Sequence, residues 1–262
     1  MSDRRARRAP AAVVPLGVAG VAFLVLPLLA LVQQAPWSSM GRLVGEPIVT
    51  DALWLSVVSA TAATAVALVL GLPLAWVLAR TSFRGRSVVR ALVLLPMVLP
   101  PVVGGAALLL AFGRRGVLGE PIYESTGLLL PYSLWGVVAA NTFVAMPFLV
   151  ITVEAGLRAA DPRFEDAAAT LGAGRWLVLR QVTIPNALPG IVAGAALCWA
   201  RALGEFGATI TFAGNLPGRT QTMPLAVYLA LESDREAAIA LSLVLIAVSL
   251  LVLVPLRDRW AP

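Results

Sequence analysis

Arg201 and Glu205 stand four residues apart in Ala187–Ala213, a stretch with no other charge. On a helix that spacing places both on one face, where they can pair. A lone Arg at the centre of a bilayer costs about 2.5–3.5 kcal/mol on insertion scales, so a partner is expected. Two roles stay open: a structural pair that fixes the orientation of a span, or an Arg that transiently attracts an anion. Other chemistry is excluded by composition. The chain has no His and no Lys. A Walker A loop needs a Lys to reach nucleotide phosphates, so this polypeptide cannot hold one. A His-based metal site, a Ser-His-Asp triad and a Cys-His pair are equally out of reach. Glu205 is the only carboxylate inside a predicted span, which leaves paired-acid catalysis without its second member. The single Cys198 excludes an internal disulfide.

The elements that position these residues are membrane helices. At 262 residues, 59% hydrophobic and 13% charged, with mean hydropathy +0.88, the chain is too apolar for a soluble domain. Uncharged runs at Ala12–Val32, Leu53–Ala79, Ala91–Phe112, Leu134–Val153 and Ala237–Leu256 each reach the roughly 20 residues needed to cross about 30 Å of hydrocarbon. With Ala187–Ala213 they make six spans in an all-α integral membrane protein. Met223–Leu231 is too short to cross and reads as a re-entrant or interfacial piece. The third span carries Pro96, Pro100, Pro101, Gly104 and Gly105. Broken backbone at membrane depth is tolerated when buried in protein or lining a cavity, so a bent, pathway-lining helix is expected there; a static kink is the plainer alternative. Gly204 and Gly207 suit close helix packing.

Charge sets the orientation. All 20 basic residues are Arg, and the formal net charge is +6. With both termini in the cytoplasm, Arg4, Arg5, Arg7, Arg8, Arg80, Arg84, Arg86, Arg90, Arg158, Arg163, Arg175, Arg180, Arg257 and Arg259 fall inside. Arg42, Arg114, Arg115, Arg219 and Arg235 fall outside. This asymmetry obeys the positive-inside rule. The basic balance therefore reflects orientation and anionic lipid, not nucleic-acid binding. The organisation that follows is an Arg-rich cytoplasmic N-terminus (1–11), a first membrane helix (12–32), a domain of five further spans (53–256) and a cytoplasmic C-terminus (257–262). The first apolar run exceeds the usual core of a cleaved signal peptide, so it is expected to stay as a helix.

Between the fourth and fifth spans lies DPRFEDAAATLGAGRWLVLRQVTIP, Asp161–Pro185. Asp161 can cap a helix that opens with Pro162 and holds Glu165 and Asp166 early, complementing the helix dipole. Gly172 sits where that helix would stop. A second short helix is expected over Trp176–Thr183, ending at Pro185, with Trp176 and Leu177 anchoring it to the membrane domain.

This loop resembles the EAA loop of type I ABC importer permeases. The matching residues are Asp166, Ala167 and Ala168, then Gly172, then Val182, Ile184 and Pro185, with Glu165 supplying an acid in the alternative register. Asp for Glu, Val for Ile and Ile for Leu are the departures. The resemblance implies the type I ABC importer permease fold, a cytoplasmic coupling helix, a second copy of this chain and two separate ABC ATPase subunits. ATP and Mg would bind to those ATPases, and no cofactor, metal or catalytic residue is expected here. Cys198–Tyr228 looks like the matching segment of molybdate permeases, and less closely of sulfate permeases, through Arg201, Ala202, Gly204, Glu205, Phe206, Gly207 and Ala208 and then Gly214, Asn215, Pro217, Gly218, Thr220, Gln221, Thr222 and Pro224. That likeness implies import of an oxyanion delivered by an extracytoplasmic solute-binding protein across the cell membrane. The expected pathway residues are then Pro100, Pro101, Arg201, Glu205, Thr209 and Thr211. Neutral donors, Asn215, Thr220 and Thr222 among them, would suit a tetrahedral dianion. Sulfate, thiosulfate and tungstate are alternative cargoes. A secondary transporter that cycles protons on Glu205 is the alternative mechanism.

Overall fold

The computed structural model describes residues 13–254. The Arg-rich segment 1–11, the C-terminal segment 257–262 and the last residues of the sixth span lie outside them. Every described element is a helix. The first span is α1, Val13–Gln33, followed by the short α2, Met40–Val44. The second span, α3, runs 34 residues from Pro47 to Arg80. At 1.5 Å per residue it is roughly 50 Å long, well beyond the hydrocarbon thickness.

The third span is broken. Its halves, α4 (Arg86–Val98) and α5 (Pro101–Phe112), meet at 116°. Neither Pro100 nor Pro101 has a backbone N–H to continue a ladder, and the ring of each excludes the helical conformation in the residue before it. Helix α6 (Gly119–Thr126) leads to α7, Leu134–Ala159, whose N-cap Ser133 accepts a hydrogen bond from the Gly136 N–H. This fourth span continues six residues past Val153, where the uncharged run ends.

The polar module holds α8 (Arg163–Thr170) and α9 (Arg175–Val178). A π turn at Leu179–Thr183 then leads directly into α10, Ile184–Leu203. The expected stop at Pro185 does not occur. Pro185 cannot donate to a carbonyl one turn back, and the π turn absorbs that loss through an Ile184 N–H bond to the Leu179 carbonyl. Residues Arg175–Leu203 thus form one 29-residue helical rod. The far end of the fifth span also departs from expectation. It ends at Leu203, and Gly207–Phe212 is a separate short helix, α11. Two further helices follow, α12 (Met223–Ser233) and α13 (Arg235–Leu253). Asp234 caps the latter by accepting from the Ala237 N–H at 3.0 Å.

The core is where α3, α7 and α10 meet. Ala60, Ala63, Ala67, Leu149, Val150 and Cys198 are buried together there. Helix α7 is central, and α1 has no buried residue. A second cluster joins α5, α7 and α11 through Leu108, Val144 and Phe212. Close approach is built in at this point. A Cβ on Gly105 would lie 2.6 Å from the Thr211 Cβ, and one on Gly207 would lie 2.6 Å from the Pro101 Cβ. The bend of the third span therefore seats on the break in the fifth. Gly204 makes no such contact: its nearest neighbour is the Ala200 carbonyl of its own helix.

Candidate functional site: a polar module and a charged break in the fifth span

The polar module is closed by local hydrogen bonds. The Arg163 N–H donates to Asp161 Oδ1 at 2.9 Å. At the other end, the Gly172 N–H bonds to the Ala169 carbonyl and the Ala173 N–H to the Ala168 carbonyl, both at 3.0 Å. These are the paired bonds of a Schellman stop, which needs a left-handed residue at its centre. Gly172 has φ +85°. The turn redirects the chain into α9, and α8 is left with an outer face of Phe164, Ala167 and Leu171, the last 88% exposed. Asp166 lies on the other side of the helix, along the groove beside Arg80. Trp176, 74% exposed, borders an open apolar chamber beside α3 and α7 without closing onto it, and Leu177 is exposed, so neither packs α9 tightly on the spans. Val182 is half-buried at the π turn, with Ile184 and Pro185 exposed beside it.

The module is tied to the membrane domain by charge. Arg80, the last residue of α3, donates to Glu165 Oε1 at 2.9 Å, with the two side chains 15% and 22% exposed. Asp166 is exposed. A second cluster lies nearby: Glu154 on α7 accepts from Arg158 at 2.9 Å and from Arg90 of α4. Arg86 and Arg158 also donate to the Leu78 carbonyl, which belongs to the last turn of α3 and has no helical partner. The ends of three helices are pinned together. Glu154 escaped the sequence reading because it follows the apolar run; its i,i+4 spacing to Arg158 was the available signal.

At the break in the fifth span, Arg201 Nη2 pairs with Glu205 Oε2 at 2.7 Å, with the side chains 29% and 1% exposed. Glu205 Oε1 also accepts from the Ala208 N–H at 2.8 Å. One carboxylate thus neutralises Arg201 and satisfies the first turn of α11, which explains why the helix restarts there. Thr209 is fully buried and donates to Asn141 Oδ1 at 3.3 Å. Asn141 in turn donates to Ser59 Oγ at 3.3 Å. Ser56 Oγ accepts from the Met223 N–H at 2.7 Å. Thr211 donates to the Gly207 carbonyl at 2.8 Å. Thr209, Asn141, Ser59 and Ser56 thus tie α3, α7, α11 and α12 together, while Thr211 bonds within its own helix. Pro100 and Pro101 are exposed at the bend.

The residues 67–260 match the family described as "Binding-protein-dependent transport system inner membrane component". The chain belongs to that family. As a member it is a multi-pass membrane component of a transport system and not an enzyme. It is 48% identical to the "Molybdenum transport system permease protein ModB" of Mycobacterium tuberculosis (strain ATCC 25618 / H37Rv) over 244 residues, 92% of this chain and 91% of that one. It is 39% identical to the "Sulfate transport system permease protein CysT" of Escherichia coli (strain K12) over 234 residues, 88% and 84% of the two chains. Among solved structures, a bacterial ABC transporter involved in the import of the acidic polysaccharide alginate superposes with a TM-score of 0.70 at 19% identity, covering 95% of this chain and 92% of that one. The family member described here therefore has the fold of type I ABC importer permeases.

Proposed function

We propose that this chain is the membrane subunit of an ATP-driven importer that moves molybdate into the cell. The observation that carries the reading is the closed polar module at 161–185, bonded to α3 by Arg80–Glu165 and continuous with the fifth span. Two copies of the chain form the pathway, and two ABC ATPases beneath them bind ATP and Mg. Both termini and the module face the cytoplasm. Helix α8 seats in a groove on the ATPase through its outer face, where the small Ala167 and its half-buried neighbour Ala168 allow close approach, and Gly172 sets the angle of that docking. When the ATPases close, α8 moves as a rigid body. Arg80–Glu165 passes the displacement to α3, and the 175–203 rod passes it to the fifth span through Val182, Ile184 and Pro185. The Pro100–Pro101 bend and the Arg201–Glu205 break lie in contact and flex together along the pathway.

The cargo reading rests on the 48% identity to a molybdenum permease along nearly the whole chain. Arg201 is already neutralised by Glu205, which suits weak passage of a dianion rather than its retention. A solute-binding protein delivers the oxyanion to the outward face, where Arg115 and Arg219 are exposed. Arg114 is occupied over the Tyr123 ring, 4.6 Å from its centroid. Uptake of labelled molybdate into vesicles holding the complete complex tests the reading, with sulfate as competitor. ATP-dependent uptake that resists equimolar sulfate is expected. Equal inhibition would overturn the molybdate assignment and leave a permease that does not distinguish the two dianions, an outcome compatible with the 39% identity to a sulfate permease.

A further inference from the structure

We propose a phospholipid site between α3 and the polar module, taking one lipid whose head carries a phosphate and a primary ammonium. An apolar chamber of about 430 Å³ lies between α3, α7 and the 175–203 rod, lined by Leu72, Val77, Val153, Leu157, Ala187 and Ile191. Its size falls in the range of ligand pockets. The chamber shares Trp76, Trp176, Leu179 and Thr183 with a wider groove of about 630 Å³. That groove is lined by Arg80, Glu165, Asp166 and Arg175. A greasy chamber that opens onto charge matches an acyl chain below a polar head.

Two observations select the head group. Trp76 Nε1 and Arg80 Nε are buried donors without a hydrogen-bond partner, and a buried donor left unpaired is disfavoured. Arg175 has no carboxylate partner among the described residues. Three donors around one groove suit the oxygens of a phosphate. The groove also holds two carboxylates. Glu165 is engaged by Arg80, while Asp166 forms no ion pair among the described residues and can meet an ammonium. The balanced charge therefore favours a zwitterionic ethanolamine head over a purely anionic one. The apolar α1 of a second copy is the competing occupant. Its sequence offers a single polar side chain, Gln33 at its last position, and so no acceptor for these donors along its length.

The reading of the module as ATPase-coupling is not required, because the test reads lipid and not transport. The complete complex is purified in mild detergent from membranes containing phosphatidylethanolamine and phosphatidylglycerol, and bound lipid is measured by native mass spectrometry. One phosphatidylethanolamine per copy of this chain is expected. Ala187→Leu, which fills the chamber, should abolish it. Trp76→Phe leaves the chamber apolar and open but removes the Nε1 donor and should lower retention about tenfold. Absence of lipid from the parent complex, equal retention in Ala187→Leu, or preference for phosphatidylglycerol would each overturn the proposal. A cross-link joining α1 of one copy to Ile191 of the other would do the same.

Discussion

Arg80 and Glu165, 85 residues apart in sequence, are joined by a 2.9 Å ion pair. Arg80 closes a membrane span and Glu165 opens α8. The long helix α3 and the short helix of the module are thus tied at this contact. Because both side chains are mostly buried, removing one partner strands the other, a loss of about 1–3 kcal/mol. Arg80→Ala should leave the ATPases hydrolysing ATP while molybdate uptake falls by an order of magnitude or more. The charge swap Arg80→Glu with Glu165→Arg should restore part of that uptake. Uptake and hydrolysis measured on the same vesicles check this, and unchanged uptake in Arg80→Ala would remove the tether from the mechanism.

Gly172 supports a second prediction. The surrounding space is open, so size alone is no obstacle; the constraint is its φ of +85°. A β-branched residue there is strained by roughly 1–2 kcal/mol, whereas Asn tolerates the conformation better. Gly172→Val should weaken co-purification of the ATPase subunits, and Gly172→Asn should largely keep it. Equal retention in both variants would show that the stop of α8 does not set the docking angle.

These contacts explain which parts of the molecule were legible in the sequence. The spans were readable because bilayer length imposes long uncharged runs, and the stop at Gly172 because one residue's backbone freedom dictates it. The ends of α7 and α10 were not. Helix α7 outlasts its apolar run because Glu154 and Arg158 pair on its last turns. Helix α10 stops inside an apolar run because Glu205 spends a carboxylate oxygen on the Ala208 N–H. The continuity across Pro185 depends on a π turn that no hydrophobic period reveals. The Thr209–Asn141–Ser59 line, like Arg80–Glu165, joins residues far apart in the chain. Its members read individually as ordinary polar residues.

Glu154 holds two guanidinium groups on a mostly buried carboxylate. Glu154→Gln keeps the shape and removes the charge, leaving Arg90 and Arg158 near each other without a counter-ion. A loss of about 1–3 kcal/mol is expected, read as a lower midpoint in thermal unfolding of the detergent-solubilised complex. Since Arg90 ties α4 to α7 through Glu154, cysteine cross-linking between Leu94 and Ile151, which line one pocket beside Glu154, should become less efficient. A parental midpoint with parental cross-linking would mean that the apolar contacts of α4 suffice.

The Arg201–Glu205 pair separates a structural role from a transport role. Arg201→Ala would leave Glu205 charged and 1% exposed, and breaking a buried pair from one side costs about 3–5 kcal/mol. The single variant should therefore assemble poorly. Replacing both residues with Met removes the stranded charge, so assembly should recover, although α11 then loses the acceptor for its Ala208 N–H. If the pair only fixes the fold, the double variant transports molybdate with a nearly parental KM. If Arg201 attracts the dianion in passing, assembly recovers but KM rises several-fold while ATP hydrolysis stays coupled. A proton-driven carrier would behave differently again: Glu205→Gln would abolish uptake, and uptake in the parent would persist without the ATPase subunits. Steady-state uptake by the parent, Glu205→Gln and the double variant, with and without those subunits, distinguishes the three. The geometry favours the first outcome, because the carboxylate that neutralises Arg201 is also the one that restarts the helix.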